Sequence, residues 1–245
     1  MPVIATQHLF EVLPDRVGVA SELVRELFPR MAREAIRYEL LGQGLLASGA
    51  VQVSFDYWEM VRELQHELQA LWDGPDVAVY LLPIREDISK NGVSYERGIC
   101  LFISPTLTPC ELQALFTHEY CHSCHRPYLN DPPTLMDSLI TEGLAEYAVE
   151  SLYGEEALSP WTTRYLYAEV VAYWLTYVKP KLYETGLHKH RELLIGGEQT
   201  PPRLGYCTGY RIVKEFLGNE GPHSVKDLLT MRTETIVGKA GFEIA

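Results

Sequence analysis

The stretch that decides how this chain is organised is TPCELQALFTHEYCHSCHRP, Thr108–Pro127. It opens with a helix-start signal: Thr108 is the predicted N-cap, Pro109 takes the first helical position and Glu111 closes a capping box. The stretch ends at a proline, which has no backbone N–H and cannot continue a helix. The pattern therefore predicts one helix that runs to about His125.

This predicted helix contains the motif H-E-x-x-H, formed by His118, Glu119 and His122. Four residues make just over one helical turn, so the two imidazoles lie on the same face. At this spacing two imidazole nitrogens can bind one tetrahedral Zn²⁺. Glu119 lies beside them and can act as general base toward a water at the metal, and then as the acid that protonates a leaving amine. An ordinary polar helix face is the alternative for the motif taken alone.

Two cysteines in the same stretch, Cys121 and Cys124, allow a second interpretation, a structural zinc knot that also uses the histidines. A helix disfavours the knot because Cys121 lies about 100° around the axis from His122, and the sequence has no second C-x-x-C pair. Redox chemistry is disfavoured because reactive pairs of this kind lie at helix N-termini. We expect both cysteines to be small packing residues, and His125 to complement the helix dipole.

The chain before this helix changes its hydrophobic period once. Residues from about Gln7 to Trp72 place apolar side chains at three- and four-residue steps, which is typical of helices. Two short apolar runs follow at Val77–Ile84 and Gly98–Ser104, with Lys90–Gly92 between them, and they predict a small antiparallel sheet. By fold analogy alone, and not from the residues themselves, we expect the second run to form the sheet edge above the metal, where an extended peptide could add as a strand.

Further helices are predicted in the second half of the chain, at Thr134–Tyr153, from Ser159 to before Pro180, at Leu204–Gly218 and at Ser224–Met231. Gly154 is expected to end the first of them. Together the elements predict a mostly helical α+β fold. We expect an N-terminal helical part at residues 1–74, packed on a single domain at residues 75–245.

The first of these later helices carries a stripe of carboxylates, because Glu142, Glu146 and Glu150 follow at four-residue intervals. A catalytic zinc site needs a third protein ligand, and this stripe could supply it. The alternative is a solvated acidic face, which we prefer for Glu150. Gly143 has no side chain and would permit close approach to the helix of the H-E-x-x-H motif.

A resemblance to known proteins rests on these motifs. H-E-x-x-H followed by nineteen residues and EGLAEY resembles the gluzincin metallopeptidases. The wider set of GICLFISP, HEYCH, LMDSLITEGLAEYAVE, PW and GYCTGYRIV is similar to DUF2268, a family of predicted Zn-dependent proteases. This resemblance covers about Val77 to Gly218. It implies a zincin-like catalytic domain in which Glu142 is the third Zn²⁺ ligand and Glu146 holds a ligand histidine from behind.

The chain also departs from the gluzincin pattern at two points. Thr141 precedes Glu142, where many gluzincins have asparagine, and no G-A-M-E-N-like run is present. The resemblance therefore does not imply aminopeptidase specificity.

A hydrogen-bond donor for the developing oxyanion is the remaining requirement of this chemistry. The motif GYCTGY places Tyr206 and Tyr210 one helical turn apart, each after a glycine that would let the helix pack closely. Both tyrosines could equally be aromatic core positions. The resemblance favours Tyr206 first and Tyr210 second, with Arg203 and His223 as weaker candidates.

The composition narrows the classes of partner. The 245 residues carry a formal net charge of −12, which argues against nucleic-acid binding because phosphate backbones require a basic surface. No apolar run reaches membrane-spanning length, and the N-terminus does not resemble a secretory signal. We therefore expect a cytoplasmic protein with no membrane partner and with reduced thiols. His188 and His190 are expected at the surface.

These observations predict a zinc metallopeptidase whose partner is a peptide or protein substrate. Two alternatives from other classes stay open. The first is a zinc-binding module without catalysis, and the second is a degenerate peptidase fold with a regulatory or interaction role. The oligomeric state is open as well.

Overall fold

The computed structural model of the chain describes residues 2–241. These residues form two compact units, one up to Ser123 and one from Cys124 on. The described part is mostly helical with one small sheet, so the predicted α+β class is confirmed. The expected division into residues 1–74 and 75–245 stays a prediction.

The first unit begins with helices, at α1 (Arg16–Leu23), α2 (Arg33–Gly42) and α3 (Tyr57–Trp72). A short 3-10 turn, Arg25–Leu27, follows α1, and the chain around Pro29 is not helical. α3 starts where Asp56 accepts a hydrogen bond from the backbone N–H of Glu59 at 3.0 Å. The predicted N-terminal helices are therefore present as separate short segments.

The sheet of the first unit has the order β1-β3-β2, with β1 (Ala78–Pro83), β2 (Lys90–Tyr95) and β3 (Gly98–Ile103). β2 and β3 are antiparallel, but β1 and β3 are parallel. The antiparallel pairing predicted for the two apolar runs is therefore wrong. The segment between the two apolar runs forms β2, which pairs with β3 on the side away from β1. The chain reverses once before β2 and once after it, so β3 runs in the same direction as β1.

The edge of the sheet is also different from the prediction, because β3 is the central strand and β1 and β2 are the two edge strands. All six residues of β1 and of β3 are buried, whereas all six of β2 are half-buried. An edge strand of mixed polarity such as KNGVSY has no continuous apolar run. This is the physical reason why the sequence pattern does not predict β2 as a strand.

The N-terminal segment packs directly on this sheet. Val3 forms a bridge with Val79, and the Thr6 hydroxyl donates to the Leu81 carbonyl at 2.6 Å. On the edge strand, the Tyr95 hydroxyl donates to Glu39 of α2 at 2.9 Å. The N-terminal helices and the sheet are thus parts of one compact unit.

α4 (Pro109–His125) is the helix that carries the H-E-x-x-H motif, with the predicted bounds. The capping box is confirmed: the Thr108 backbone N–H donates to Glu111 at 2.9 Å, and the Glu111 N–H donates to the Thr108 hydroxyl at 3.3 Å. The hydrogen bond from the Thr108 backbone holds the pKa of Glu111 below its usual value. Tyr120 stacks on Phe116 and on Trp72, which fixes the rotation of α4.

Helices joined by turns and loops make up the described part of the second unit, at α5 (Leu135–Tyr153), α6 (Tyr167–Tyr173), α7 (Leu187–Ile195), α8 (Leu204–Glu220), α9 (Val225–Leu229) and α10 (Thr233–Lys239). The helices predicted at α5, α8 and α9 are confirmed. The helix expected from Ser159 starts only at Tyr167, because Thr162 turns the preceding segment back onto the Ser159 carbonyl. α6 continues as one π-helical segment, Trp174–Val178.

The start of α5 is tied to α10 through one buried carboxylate. Asp137 accepts the backbone N–H of Thr134 at 2.8 Å and the Thr233 hydroxyl at 2.7 Å. Burial acts to raise the pKa of Asp137, but these bonds and one from Asn130 outweigh it and hold the pKa below its usual value. The carboxylate therefore both caps α5 and fixes its position against α10.

α5 and α8 cross at two glycines, Gly143 and Gly209. A Cβ built on Gly143 would overlap the backbone of Gly209, and one on Gly209 would overlap the Leu139 carbonyl oxygen. The close packing predicted for Gly209 is confirmed. The expectation for Gly143 named the wrong helix, because the backbone against it belongs to α8.

Gly209→Ala is expected to lower the free energy of unfolding by about 1–3 kcal/mol, because the added methyl group forces two backbones apart. The matched control is Gly218→Ala on the same helix, where a Cβ would meet no atom within 4 Å. This control should be neutral or raise stability by up to about 1 kcal/mol. Urea unfolding followed by circular dichroism measures both, and equal effects of the two changes would contradict the crossing.

Candidate metal centre and its surroundings

The candidate metal centre lies on one face of α4. His118, Glu119 and His122 each offer a ligand atom, and these atoms lie within 4.8 Å of one another. The two imidazole rings are 4.7 Å apart between centroids and nearly perpendicular. Both histidines are half-buried and Glu119 is 6% exposed. Two imidazoles with a carboxylate beside them fit the donor set of a zinc ion that keeps open positions.

The edge strand β2 runs along α4 and meets it at three successive points on one face. Lys90 forms an ion pair with Glu111 at 3.5 Å near the start of α4. At the other end, the hydroxyl oxygens of Ser94 and Ser123 lie 2.9 Å apart. Gly92 lies between these contacts and faces Glu119.

The contact between Gly92 and Glu119 is close enough that any side chain on residue 92 would displace the Glu119 carboxylate. A Cβ at this position would lie 2.6 Å from both Cγ and Oε1 of Glu119. The backbone of β2 thereby forms one wall beside the carboxylate. Glycine inside a strand often marks such a close approach. Gly92 is therefore a signal for this contact in the sequence, but the prediction placed it between two strands.

The residues at the end of α4 contribute packing. Cys121 is fully buried and Cys124 is 6% exposed, so their prediction as packing residues is confirmed. In the described part of the chain, the group of side chains that could hold a metal contains no cysteine. His125 ends α4 but is fully buried, and its Nδ1 lies 3.0 Å from the hydroxyl of Thr141 on α5. The role of His125 toward the helix dipole stays a prediction, and the structure adds this side-chain contact.

The three carboxylates of α5 lie in different environments. Glu142 is half-buried and Glu146 is fully buried. Glu146 accepts the backbone N–H of Ser159 at 3.1 Å. The solvated face expected for Glu150 is wrong, because its side chain is 12% exposed and pairs with Lys214 at 2.6 Å. Zinc binding by Glu142 and histidine orientation by Glu146 stay predictions.

The two candidate tyrosines of α8 have distinct surroundings. Tyr210 is 5% exposed and donates its hydroxyl to Glu150 at 2.9 Å. Burial, together with this carboxylate, raises the pKa of Tyr210. Tyr206 is half-buried, and its ring lies 5.6 Å from that of Trp161. Because the Tyr210 hydroxyl of α8 already donates its hydrogen bond to Glu150 of α5, Tyr206 stays the first candidate for the oxyanion donor.

Two other histidines differ in their burial. His188 is exposed, as expected. His190 is 1% exposed, so its expected surface position is wrong. Its Nδ1 lies 2.9 Å from the Ser138 hydroxyl, and its Nε2 lies 2.9 Å from the Glu184 carbonyl oxygen. One polar partner at each ring nitrogen makes this histidine compatible with burial.

The fold and the site together define an α+β protein with a candidate His–Glu–His metal centre on a capped helix. The chain belongs to the DUF2268 family, described as "Predicted Zn-dependent protease", whose family model matches residues 57–238. The resemblance seen in the sequence is therefore confirmed.

Two proteins of Bacillus subtilis (strain 168) are similar to this chain. The uncharacterized protein YjaZ is 34% identical over 202 residues, which are 74% of this chain and 73% of YjaZ. The uncharacterized protein YjfC is 25% identical over 143 residues, which are 53% of this chain and 47% of YjfC. Within residues 2–241, no helix combines the length and the apolar character needed to span a membrane.

His118→Ala and His122→Ala are each expected to abolish stoichiometric zinc binding, because each removes one imidazole from a pair that shares one face of α4. His66→Ala is the control, since His66 is an exposed histidine of α3 in the same unit. Elemental analysis after dialysis against zinc and then buffer measures all three. Retention of zinc by His122→Ala would point to a different ligand set.

Proposed function

We propose that this protein is a zinc-dependent metallopeptidase that hydrolyses peptide bonds. The observation that carries the proposal is the convergence of His118, Glu119 and His122 within 4.8 Å on one face of α4. The description of the family as predicted Zn-dependent proteases supports the same class. The proposed partner is a peptide or protein substrate.

The proposed zinc ligands are His118, His122 and Glu142. The assignment of Glu142 rests on the gluzincin-like spacing. It is supported by the contact between His125, the last residue of α4, and Thr141, the residue directly before Glu142. Glu146 is proposed to orient a ligand histidine, and its burial and its bond to Ser159 hold the carboxylate in one place.

Zinc bound here would polarise the scissile carbonyl and lower the pKa of the attacking water. Glu119 accepts a proton from that water and then delivers it to the leaving amine. The carboxylate is held against Gly92 of β2 and is nearly excluded from solvent. A buried, positioned carboxylate needs little reorganisation during proton transfer, which favours this role.

Tyr206 is proposed to donate a hydrogen bond to the oxyanion. Its neighbour Tyr210 already donates to Glu150. The ring of Tyr206 packs beside Trp161, which limits its rotation. A donor held in this way can stabilise charge that develops only in the transition state.

Glu119→Gln directly tests the proposal that the protein is an enzyme with Glu119 as its general base. The amide keeps the size of the side chain but cannot accept the proton of water, so we expect a loss of about 10²–10⁴-fold in kcat with zinc retained. Cleavage of a fluorogenic peptide library by zinc-loaded protein, with zinc content measured in parallel, gives both quantities.

The two alternatives predict other results in the same experiment. A zinc-binding module without catalysis would hold zinc in both proteins and cleave nothing. A degenerate peptidase fold with an interaction role would bind no zinc and cleave nothing. Equal cleavage by the wild type and by Glu119→Gln would remove Glu119 from the mechanism.

Gly92→Ala is expected to lower kcat by displacing the Glu119 carboxylate while zinc stays bound. The overlapping atoms belong to the end of a flexible side chain, so the cost should fall on the carboxylate position more than on stability. Gly42→Ala is the matched control in the same unit, since a Cβ there meets no atom within 4 Å. Steady-state kinetics with thermal unfolding separates the two effects, and unchanged kcat in Gly92→Ala would show that this contact is irrelevant to catalysis.

A further inference from the structure

Arg203, directly before α8, has an unusual backbone conformation. Its φ of 60° and ψ of 22° lie in the left-handed region, which a residue other than glycine keeps only where its surroundings impose it. The Arg203 backbone N–H donates to the Ile195 carbonyl at 2.8 Å, and two prolines, Pro201 and Pro202, precede it. This hydrogen bond and the two prolines therefore fix the backbone conformation at the start of α8.

The guanidinium of Arg203 lies over two aromatic rings. Its Cζ is 4.9 Å from the ring centroid of Trp161 and 5.5 Å from that of Tyr206. The two rings also contact each other. Stacking uses the flat face of a guanidinium and leaves its in-plane N–H groups available for a fork of parallel hydrogen bonds.

The contacts of Arg203 contain no acidic partner in the part of the chain that the structure describes. No carboxylate of residues 2–241 lies within ion-pair distance of its guanidinium, although the side chain is half-buried. The indole Nε1 of Trp161 is buried and has no hydrogen-bond acceptor among the same residues. Two donor groups of one cluster thus have no acceptor among the described residues, and for the buried indole N–H this is unusual.

Hydrogen bonds hold the backbone on both sides of this cluster in place. The Tyr165 hydroxyl donates to the Pro202 carbonyl at 2.7 Å, and the Cys207 thiol lies 3.3 Å from the Thr162 carbonyl. These bonds attach the segment that carries Trp161 to both sides of Arg203. A cation held in this way pays little conformational entropy when it binds an anion.

We infer that Arg203, supported by Trp161, binds a carboxylate group of the peptide substrate. The inference rests on the proposed function, since Tyr206 of the same cluster is the proposed oxyanion donor. The chain has a net charge of −12, and its field disfavours acidic ligands in general. Recognition of a carboxylate therefore depends on one pre-oriented guanidinium and not on the charge of the whole chain. The carboxylate is either the C-terminus of the substrate or an Asp or Glu side chain.

Binding to the Glu119→Gln protein tests this without depending on cleavage. The probes are acetylated hexapeptides. Their sequence is the consensus of the peptides cleaved from the fluorogenic library or, if no consensus is found, a random pool. Each is made in three forms, namely free C-terminal acid, C-terminal amide, and amide with one internal Gln replaced by Glu. Isothermal titration gives Kd for each form. We expect one carboxylate form to bind about 10- to 100-fold more tightly than the plain amide.

Two variants separate the charge of Arg203 from its backbone role. Arg203→Asn tolerates the left-handed conformation and removes the guanidinium, so the preference for the carboxylate form should disappear while amide binding stays. Arg203→Lys keeps a cation without the planar fork and should retain part of the preference. Arg164→Gln is the control, because Arg164 is an exposed arginine of the same segment, over the ring of Tyr165. It should change nothing.

The form that loses affinity in Arg203→Asn identifies the source of the carboxylate. An equal loss for carboxylate and amide forms would show a purely structural role for Arg203 and overturn the inference. Equal affinity of the wild-type site for all forms, or no binding of any form, would overturn it as well. Absence of cleavage by the zinc-loaded wild type, with carboxylate-selective binding intact, would instead overturn the proposed function and leave the binding site standing.

Discussion

The backbone contact between Gly143 and Gly209 is the constraint on which the second unit depends. It brings α5 and α8 closer than any side chain would permit. At this separation Glu150 of α5 receives both the Tyr210 hydroxyl and the Lys214 ammonium of α8. The helices that carry the candidate residues of this unit are thereby held in one register, and Glu150, Tyr210 and Lys214 satisfy one another between them.

The first unit applies the same principle to a strand and a helix. Gly92 lets the β2 backbone approach the carboxylate of Glu119, while Lys90 and Ser94 attach the strand to α4 on either side. The carboxylate beside the two histidines is therefore positioned by the sheet as well as by its own helix. In both units, a missing side chain is what permits a functional group to be held closely.

Much of the local structure could be predicted because short-range interactions decide it. The capping boxes at the starts of α4 and α5 involve residues three positions apart, and Gly154 ends α5 with a positive φ of 87°. The face shared by His118 and His122 follows from helical periodicity alone. Assignment to the DUF2268 family rests on motifs of the same kind, which are read along the chain without knowledge of the fold.

The sequence by itself thus determined α4, α5, α8 and α9, the class of the fold and the His–Glu–His cluster, since each depends on residues within one or two turns. Only the tertiary structure decided the order of the strands, the burial of His190 and Glu150, and the partners of Gly92 and Gly143. Arg203 belongs to this second group, because its two ring contacts come from residues 42 positions before and 3 positions after it. Burial and partners depend on which distant segments meet, and hydrophobic periodicity along one segment does not encode that choice.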